Sequence, residues 1–318
     1  MTTTLKLDTE KNDVKKTHSN ITRTHTPRLS VLVPFFHDNP LPLMKALSEQ
    51  TSTEIELLFY DDGTANHSLT QELMGYVRSA KVDITLITAL QNKGRAIARN
   101  TLKEAARADW VLFLDADMRP KTAKFLTNYV TLIEANIADV FFGGFEVENH
   151  AESPDRELHR ALSQSSDCLP LMEREAAGPQ FVATSNLCVK KSVLNAEPFD
   201  NQFQGWGWED SEWAARIAKK YRLKHIENSA LHLGLETDTT LLSRFQNSAE
   251  NYKRFTSKHP QLAEHLALYR LVKKLARLPA QRFLAPLYRI IVLTRFLPMR
   301  LRILGLKLWR ASWYARAF

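Results

Sequence analysis

Short apolar runs recur through the first half of the chain, and stretches of helical spacing separate them. The runs are Leu29-Ser30-Val31-Leu32-Val33, Ile55-Glu56-Leu57-Leu58-Phe59-Tyr60, Val82 to Ile87 and Trp110-Val111-Leu112-Phe113-Leu114, with Val140-Phe141-Phe142 resuming the pattern. Between them, Leu41, Leu43, Met44 and Leu47, then Leu69, Leu73 and Val77, then Ile97, Thr101, Leu102 and Ala105, then Leu126, Tyr129, Val130 and Ile133 fall on single helical faces. Strands alternating with helices predict βαβ units, and near-continuous apolar runs predict strands covered on both faces. The expected fold is α/β: a three-layer α/β/α sandwich around a mostly parallel sheet.

Farther along, Ala151 to Pro179 has weak periodicity and reads as a loop with short helical pieces. Phe181 to Val189 reads as a strand, Ser211 to Tyr221 as a helix, and Leu223 to Leu233 as room for one more strand. Residues 1–27 are polar, lack apolar periodicity and contain no secretory h-region, so a disordered arm is expected. The domain is expected over 28–255, followed by a basic amphipathic helical tail over 256–318. Cys168 and Cys188 form no framework of disulfides or metal ligands, and a reducing compartment follows as the default.

Charge divides the chain. From His265 to Phe318 there are twelve Lys or Arg and no Asp or Glu. These exceed the whole net charge of +8, so the remainder is mildly acidic. A one-sided charge of this kind points to an anionic partner. The tail also carries Phe283, Leu284, Leu287, Ile290, Ile291, Phe296 and Leu297, with Arg every six or seven positions. Its apolar content argues against a nucleic-acid arm. Its uncharged runs are too short to span a bilayer. Basic residues beside bulky apolars suit a helix lying in the interface of an anionic membrane; a helical lid packed on the domain is the alternative.

Open α/β sheets bind ligands at the carboxyl ends of their strands. Here those ends carry Pro34-Phe35-Phe36-His37-Asp38, Asp61-Asp62-Gly63-Thr64 and Asp115-Ala116-Asp117. No glycine-rich phosphate cradle is present. A divalent cation held by paired carboxylates is the natural substitute, since Mg²⁺ or Mn²⁺ takes one or two carboxylates plus phosphate oxygens. In sequence order come Val31-Leu32-Val33-Pro34-Phe35-Phe36, Asp61-Asp62-Gly63-Thr64, Asn92-Lys93-Gly94 with Ala98-Arg99-Asn100, Phe113-Leu114-Asp115-Ala116-Asp117, and Gly205-Trp206-Gly207-Trp208-Glu209-Asp210. With these segments the chain resembles a family-2 glycosyltransferase of the GT-A fold over roughly residues 28–255.

The resemblance implies roles. Asp61 or Asp62 would meet the nucleotide base, with Pro34, Phe36 and Arg99 helping to form that pocket. Asp115 would sit near the ribose. Asp117 would ligate Mn²⁺ or Mg²⁺, and His232, in Leu231-His232-Leu233-Gly234, would complete the metal site. The last acid of the Trp-Gly-x-Glu-Asp segment, Asp210, would be the catalytic base beside Glu209, and Trp206 would shape the acceptor site. Trp208 stands where that segment has a second Gly in galactosyltransferases and chondroitin polymerase; an indole there would narrow the sugar site or stack on an acceptor ring. Plain alternatives exist: Asp61-Asp62-Gly63 is good turn chemistry, and Glu209 and Asp210 suit a helix N-cap and dipole. The expected reaction is inverting transfer from a nucleoside-diphosphate sugar, with uracil the usual base, to a glycan or lipid-linked acceptor. Its expected setting is bacterial surface-glycan assembly, peripheral at the cytoplasmic face of the membrane. Rival classes are a nucleotidyltransferase, which would carry a Gly-rich, Arg/Lys-bearing loop after the first strand, and a non-catalytic membrane-binding protein.

Overall fold

The computed structural model describes residues 14–19, 21, 25–52, 54–278 and 281–318. The strands are β1 (Val14–His18), β2 (Leu29–Phe35), β3 (Ile55–Asp61), β4 (Ile84–Ala89), β5 (Trp110–Leu114), β6 (Met118–Pro120), β7 (Val140–Phe142), β8 (Phe145–Val147), β9 (Asn186–Lys190), β10 (Leu223–His225) and β11 (Ala230–His232). The helices are α1 (Leu41–Gln50), α2 (His67–Ser79), α3 (Arg95–Ala105), α4 (Phe125–Ala135), α5 (Glu157–Ser166), α6 (Leu171–Ala177), α7 (Lys191–Ala196), α8 (Glu209–Ile217), α9 (Asp238–Asn247), α10 (Ala249–Lys258), α11 (Pro260–His265), α12 (Ala267–Ala276), α13 (Gln281–Leu293) and α14 (Met299–Ala315).

Eight strands form the main sheet in the order β1-β4-β3-β2-β5-β9-β7-β10. Its centre, β4-β3-β2-β5, is parallel, while β9 runs antiparallel to both β5 and β7. Along β2 the side chains alternate between two cores. Leu29, Val31 and Val33 pack with Met44 and Leu47 of α1, Leu73 and Val77 of α2, and Leu126 of α4. Leu32 packs with Leu102 of α3, Leu194 of α7 and Trp213 of α8. These are the two faces of a three-layer sandwich, and burial on both sides is why β2 and β3 read as unbroken apolar runs. A second sheet, β6-β11-β8, lies beyond the end of β5.

Several expectations are corrected. Within the 1–27 arm, Val14–His18 is an ordered edge strand, registered Val14↔Ala89 through His18↔Thr85; backbone pairing, which needs no apolar periodicity, holds it. The rest of that arm lies largely outside the described residues. The strand expected over Phe181 to Val189 begins only at Asn186, after a single 3₁₀ turn at Pro179–Phe181. Leu223 to Leu233 holds two short strands in different sheets. Ala151 to Pro179 holds two helices, α5 burying Leu158 and Leu162 on one face.

The tail shares its cores with what precedes it. Leu306 and Trp309 of α14 pack with Leu241, Leu242 and Phe245 of α9, and Tyr314 with Tyr252 and Phe255 of α10. Trp309 Nε1 donates to the Leu242 carbonyl (2.9 Å). Buried Arg302 donates to Asp238 Oδ2 (2.6 Å) and to the Val292 carbonyl (2.9 Å). The expected boundary at 255/256 falls inside α10. Among the described residues no helix is long and apolar enough to cross a membrane.

Candidate active site

The carboxyl ends of β2, β3 and β5 meet at one edge of the sheet, where Phe35 is in register with Asp61. Both acids after β3 serve the local backbone. Asp61 accepts from Thr64 N (2.9 Å) and Thr64 Oγ1 (3.1 Å). Asp62 accepts from Lys93 N and Gly94 N (both 2.9 Å), which ties the Asn92-Lys93-Gly94 loop to the strand end. Burial pushes the Asp62 carboxyl up, against those two amide bonds. Gly63 has φ +79°, and a Cβ there would lie 2.4 Å from the Gln91 carbonyl carbon. Only glycine lets the two loops approach this closely. Pro34 is half-buried within β2, opposite Tyr60, and the half-buried Phe36 ring lies 3.9 Å from that of His37.

Arg99 lies among carboxylates at the end of β5 and the start of α8. It is 1% exposed. Its guanidinium donates from Nη1 to Glu209 Oε1 (3.2 Å) and Asp210 Oδ1 (3.1 Å), and its Nη2 lies 3.7 Å from Asp115 Oδ1. One buried cation thus joins the Asp115 end of β5 to the start of α8. Burial opposes the charge on Arg99, but Asp210, Glu209 and Asp115 together hold it firmly protonated. The other oxygen of Asp210 accepts from Thr184 N and Thr184 Oγ1 (both 3.0 Å). Neither Glu209 nor Asp210 is the helix cap. The cap position is Trp208, whose side chain makes no capping bond.

Asp117 and His232 come together through the second sheet, where His232 is registered with Met118. His232 Nε2 lies 3.3 Å from Asp117 Oδ2. Burial alone would raise the Asp117 carboxyl and lower the imidazole; the bond between them reverses both, leaving Asp117 lowered and His232 raised. Asp117 Oδ1 and His232 Nδ1 are buried without a hydrogen-bond partner. A Cβ on Gly234 would fall 1.8 Å from Asp117 Oδ2, so the backbone closes over the carboxylate. A carboxylate and an imidazole with orphaned atoms form a donor set suited to Mn²⁺ or Mg²⁺. Among the described residues no cluster of three His, Cys, Asp or Glu could hold a metal ion, so such an ion would take further oxygen ligands from water or a bound phosphate.

A cavity of about 400 Å³ lies beside Glu209 and Asp210, walled by Trp206, Phe245, Arg310 and others. Trp206 meets Phe245 edge-on, at 5.6 Å between ring centroids. Trp208 lines this cavity and also reaches α14. Its Nε1 donates to Tyr314 Oη (3.0 Å) and its ring lies 5.0 Å from Phe255, so it fastens α14 while forming one wall of the cavity.

Sequence reading missed residues that the fold delivers here. Arg95 opens α3 directly after the Asn92-Lys93-Gly94 segment, so its neighbours did signal it. His159 and Arg244 come from helices with no motif. The His159 ring sits 5.9 Å from that of His232 and its Nδ1 accepts from Glu236 N (2.7 Å). Burial, then His232 and Arg244, push its imidazole down to about 3, so it stays neutral. Arg244 pairs with Glu236.

Comparison with known proteins gives a consistent result. The family described as Glycosyl transferase family 2 matches residues 30–195. An uncharacterized glycosyltransferase of Haemophilus influenzae is 31% identical over 91 residues, 28% of this chain and 29% of that protein. The uncharacterized glycosyltransferase YibD of Escherichia coli is 30% identical over 116 residues, 36% of this chain and 32% of that protein. The matched stretch thus spans less than a third of these curated relatives. Among solved structures, the mannosyltransferase PcManGT from Pyrobaculum calidifontis, in complex with GDP-Man and Mn²⁺, superimposes with a TM-score of 0.59 at 19% identity, over 91% of this chain and 87% of that one. TarS of S. aureus gives 0.51 at 15% identity, over 86% of this chain and 50% of that one. At these identities the likeness is one of fold, and the fold is GT-A.

Proposed function

The chain belongs to glycosyl transferase family 2, and we propose that it transfers a sugar from a nucleoside-diphosphate donor to an acceptor hydroxyl with inversion at the anomeric carbon. The observation that carries this reading is the Arg99 bridge: one buried guanidinium holds Asp115, beside the diphosphate end of the sheet, next to Glu209 and Asp210 at the cavity. In this reading Asp210 accepts the hydroxyl proton as the acceptor oxygen attacks. The nucleoside diphosphate leaves from the opposite face of the sugar. Arg99 and Thr184 fix the orientation of the carboxylate. The strand ends, with Pro34, Phe36, Asp61 and Asp62, receive the nucleotide, and Trp206 walls the acceptor side, as in Trp-Gly-x-Glu-Asp segments. Asp117 and His232 hold Mn²⁺ or Mg²⁺, which when bound would neutralise charge on the departing diphosphate. UDP is the first donor nucleotide to test. A glycan or lipid-linked acceptor fits a bacterial surface polysaccharide or glycolipid pathway, with the enzyme peripheral at the inner face of an anionic membrane. The test is a screen of UDP- and GDP-sugars for hydrolysis and transfer, with and without Mn²⁺. Turnover of at least one donor, lost on adding a chelator, is expected. No turnover of any donor by folded protein would overturn the reading.

A further inference from the structure

The cavity beside Asp210 has an imbalance of charge that the donor does not explain. Its acids Glu209 and Asp210 are already matched from beneath by Arg99. Its cations are Arg95, Arg244, Lys307 and Arg310. Arg95 and Arg244 belong to the donor side, where Arg244 pairs with Glu236 and both feel Asp38 and Asp117. Lys307 and Arg310 come from α14, on the opposite wall.

Arg310 is unusual among the described arginines. Its guanidinium carbon lies 4.9 Å from the Phe245 ring centroid, 5.2 Å from Trp208 and 5.4 Å from Tyr314. Three rings crowd this half-buried side chain, and its Nε is buried without a hydrogen-bond partner. Asp167 also lines this wall and feels the charge of Arg310, but its carboxylate accepts from Ser166 Oγ (3.0 Å) and makes no ion pair with Arg310 among the described residues. Aromatic faces offset part of the cost of a desolvated cation, but they accept none of its N–H bonds. A planar guanidinium with open donors facing a cavity matches the oxygens of a phosphoryl group. Lys307, exposed at the mouth, adds a second positive charge.

We infer that Arg310 and Lys307 form an anion subsite that takes a phosphoryl group carried by the acceptor. The inference rests on the glycosyltransferase reading, since it assigns the acceptor side of that same cavity. The subsite holds the acceptor by its charge while a hydroxyl on the same molecule reaches Asp210. The phosphoryl group has two sources, a phosphate on the glycan itself or one joining the glycan to a lipid.

The experiment fills the donor site first. With full-length protein saturated in Mn²⁺ and UDP or GDP, inorganic phosphate is titrated calorimetrically, followed by glucose 6-phosphate and dodecyl phosphate. Saturable binding of phosphate is expected, weakened about tenfold in Arg310→Met and by a smaller factor in Lys307→Met. Methionine keeps much of the stacking volume of Arg310, and Lys307 is exposed, so Lys307→Met carries the test if Arg310→Met fails to fold. Tighter binding of glucose 6-phosphate than of inorganic phosphate supports a glycan phosphate, and tighter binding of dodecyl phosphate supports a lipid-linked one. Failure of the nucleotides to bind would count against the glycosyltransferase reading. Nucleotide binding without phosphate binding, or equal phosphate affinity in wild type and every folded variant, would overturn the subsite alone.

Discussion

At the scale of single residues, Asp210 carries the most specific expectation. Asn at this position is a less neutral substitution than the sequence suggests. Asp210 is not a cap; both of its oxygens accept, one from Arg99 and the other from Thr184. An amide has one oxygen, so its NH₂ must face a donor on one side. Leaving one such buried bond unmade costs about 1–3 kcal/mol. Asp210→Asn is therefore expected to melt at a lower temperature, to bind nucleoside diphosphate with Mn²⁺ as wild type does, and to lose at least about a hundredfold in transfer rate if general-base catalysis is removed. Transfer within a few-fold of wild type would exclude Asp210 as the base. Asp117→Ala reads the other half of the site. It removes the carboxylate and leaves the half-buried His232 without its partner. Calorimetry should show Mn²⁺-dependent nucleotide binding lost in Asp117→Ala and weakened in His232→Ala; equal Mn²⁺ enhancement in wild type and Asp117→Ala would remove both residues from the metal site.

At the scale of elements, the turn before α8 shows how a side chain is recruited by a distant helix. Trp208 has φ +74°, the left-handed region that favours glycine. A non-glycine residue there costs on the order of 1–2 kcal/mol. Here the cost is offset by the bond to Tyr314 and the packing on Tyr252 and Phe255. Trp208→Gly should relieve the turn yet release α14. The expected net effect is a loss of about 1–3 kcal/mol, because removing a half-buried aromatic and its bond to Tyr314 outweighs the relieved strain. Chemical denaturation measures it, and a more stable variant would show that the latch contributes little. This element also marks the limit of what sequence makes legible. Strands β2, β3 and β5, helices α1 to α4 and the acids at strand ends were readable, because burial on two faces writes itself as continuous apolar runs and 3.6-residue spacing. The partner of Arg99 was not readable. Glu209 is 110 positions away, and nothing local in Ala98-Arg99-Asn100 encodes which carboxylate the folded sheet will supply. His159 and Arg244 are silent for the same reason. Strand β1 is not legible because its own residues are mostly polar, and its pairing with the apolar β4 rests largely on backbone bonds that leave no apolar pattern.

At the scale of the whole molecule, the tail is both a structural member and an exposed surface, and its two faces separate these roles. Cutting the chain before α13 would remove Arg302, Trp309 and Tyr314 from buried contacts, so a truncated protein tests folding rather than membrane binding. The outward face is different. Phe283 is 83% exposed, Ile290 62% and Phe296 98%, with Leu287, Leu301 and Leu304 also exposed. The helices α13 and α14 are held in close contact: a Cβ at Gly305 would lie 2.7 Å from the Ile291 side chain and 3.5 Å from the Tyr288 carbonyl. Ile290 of α13 and Leu301 and Leu304 of α14 are all exposed on this helix pair. Arg289, Arg300 and Lys307 are exposed on the same pair of helices and Arg295 in the turn between them, and no acid occurs from His265 onward. A bilayer with anionic headgroups matches both features. Full burial of one Phe or Ile contributes about 1.5–3 kcal/mol, and each basic residue near an anionic surface about 1 kcal/mol. Several partly inserted side chains therefore suffice for reversible attachment. Lys307 belongs both to this hairpin and to the cavity wall, so docking would bring the acceptor side of the cavity close to the lipid surface. The protein is expected to sediment with vesicles of phosphatidylcholine and phosphatidylglycerol, less so in high salt and little with phosphatidylcholine alone. The triple variant Phe283→Ser, Ile290→Ser, Phe296→Ser changes only exposed positions, so its melting temperature should hold while partitioning falls at least about tenfold. If wild type ignores the anionic vesicles, or the triple variant binds them equally well, the hairpin is not a membrane surface and its apolar face serves some other contact.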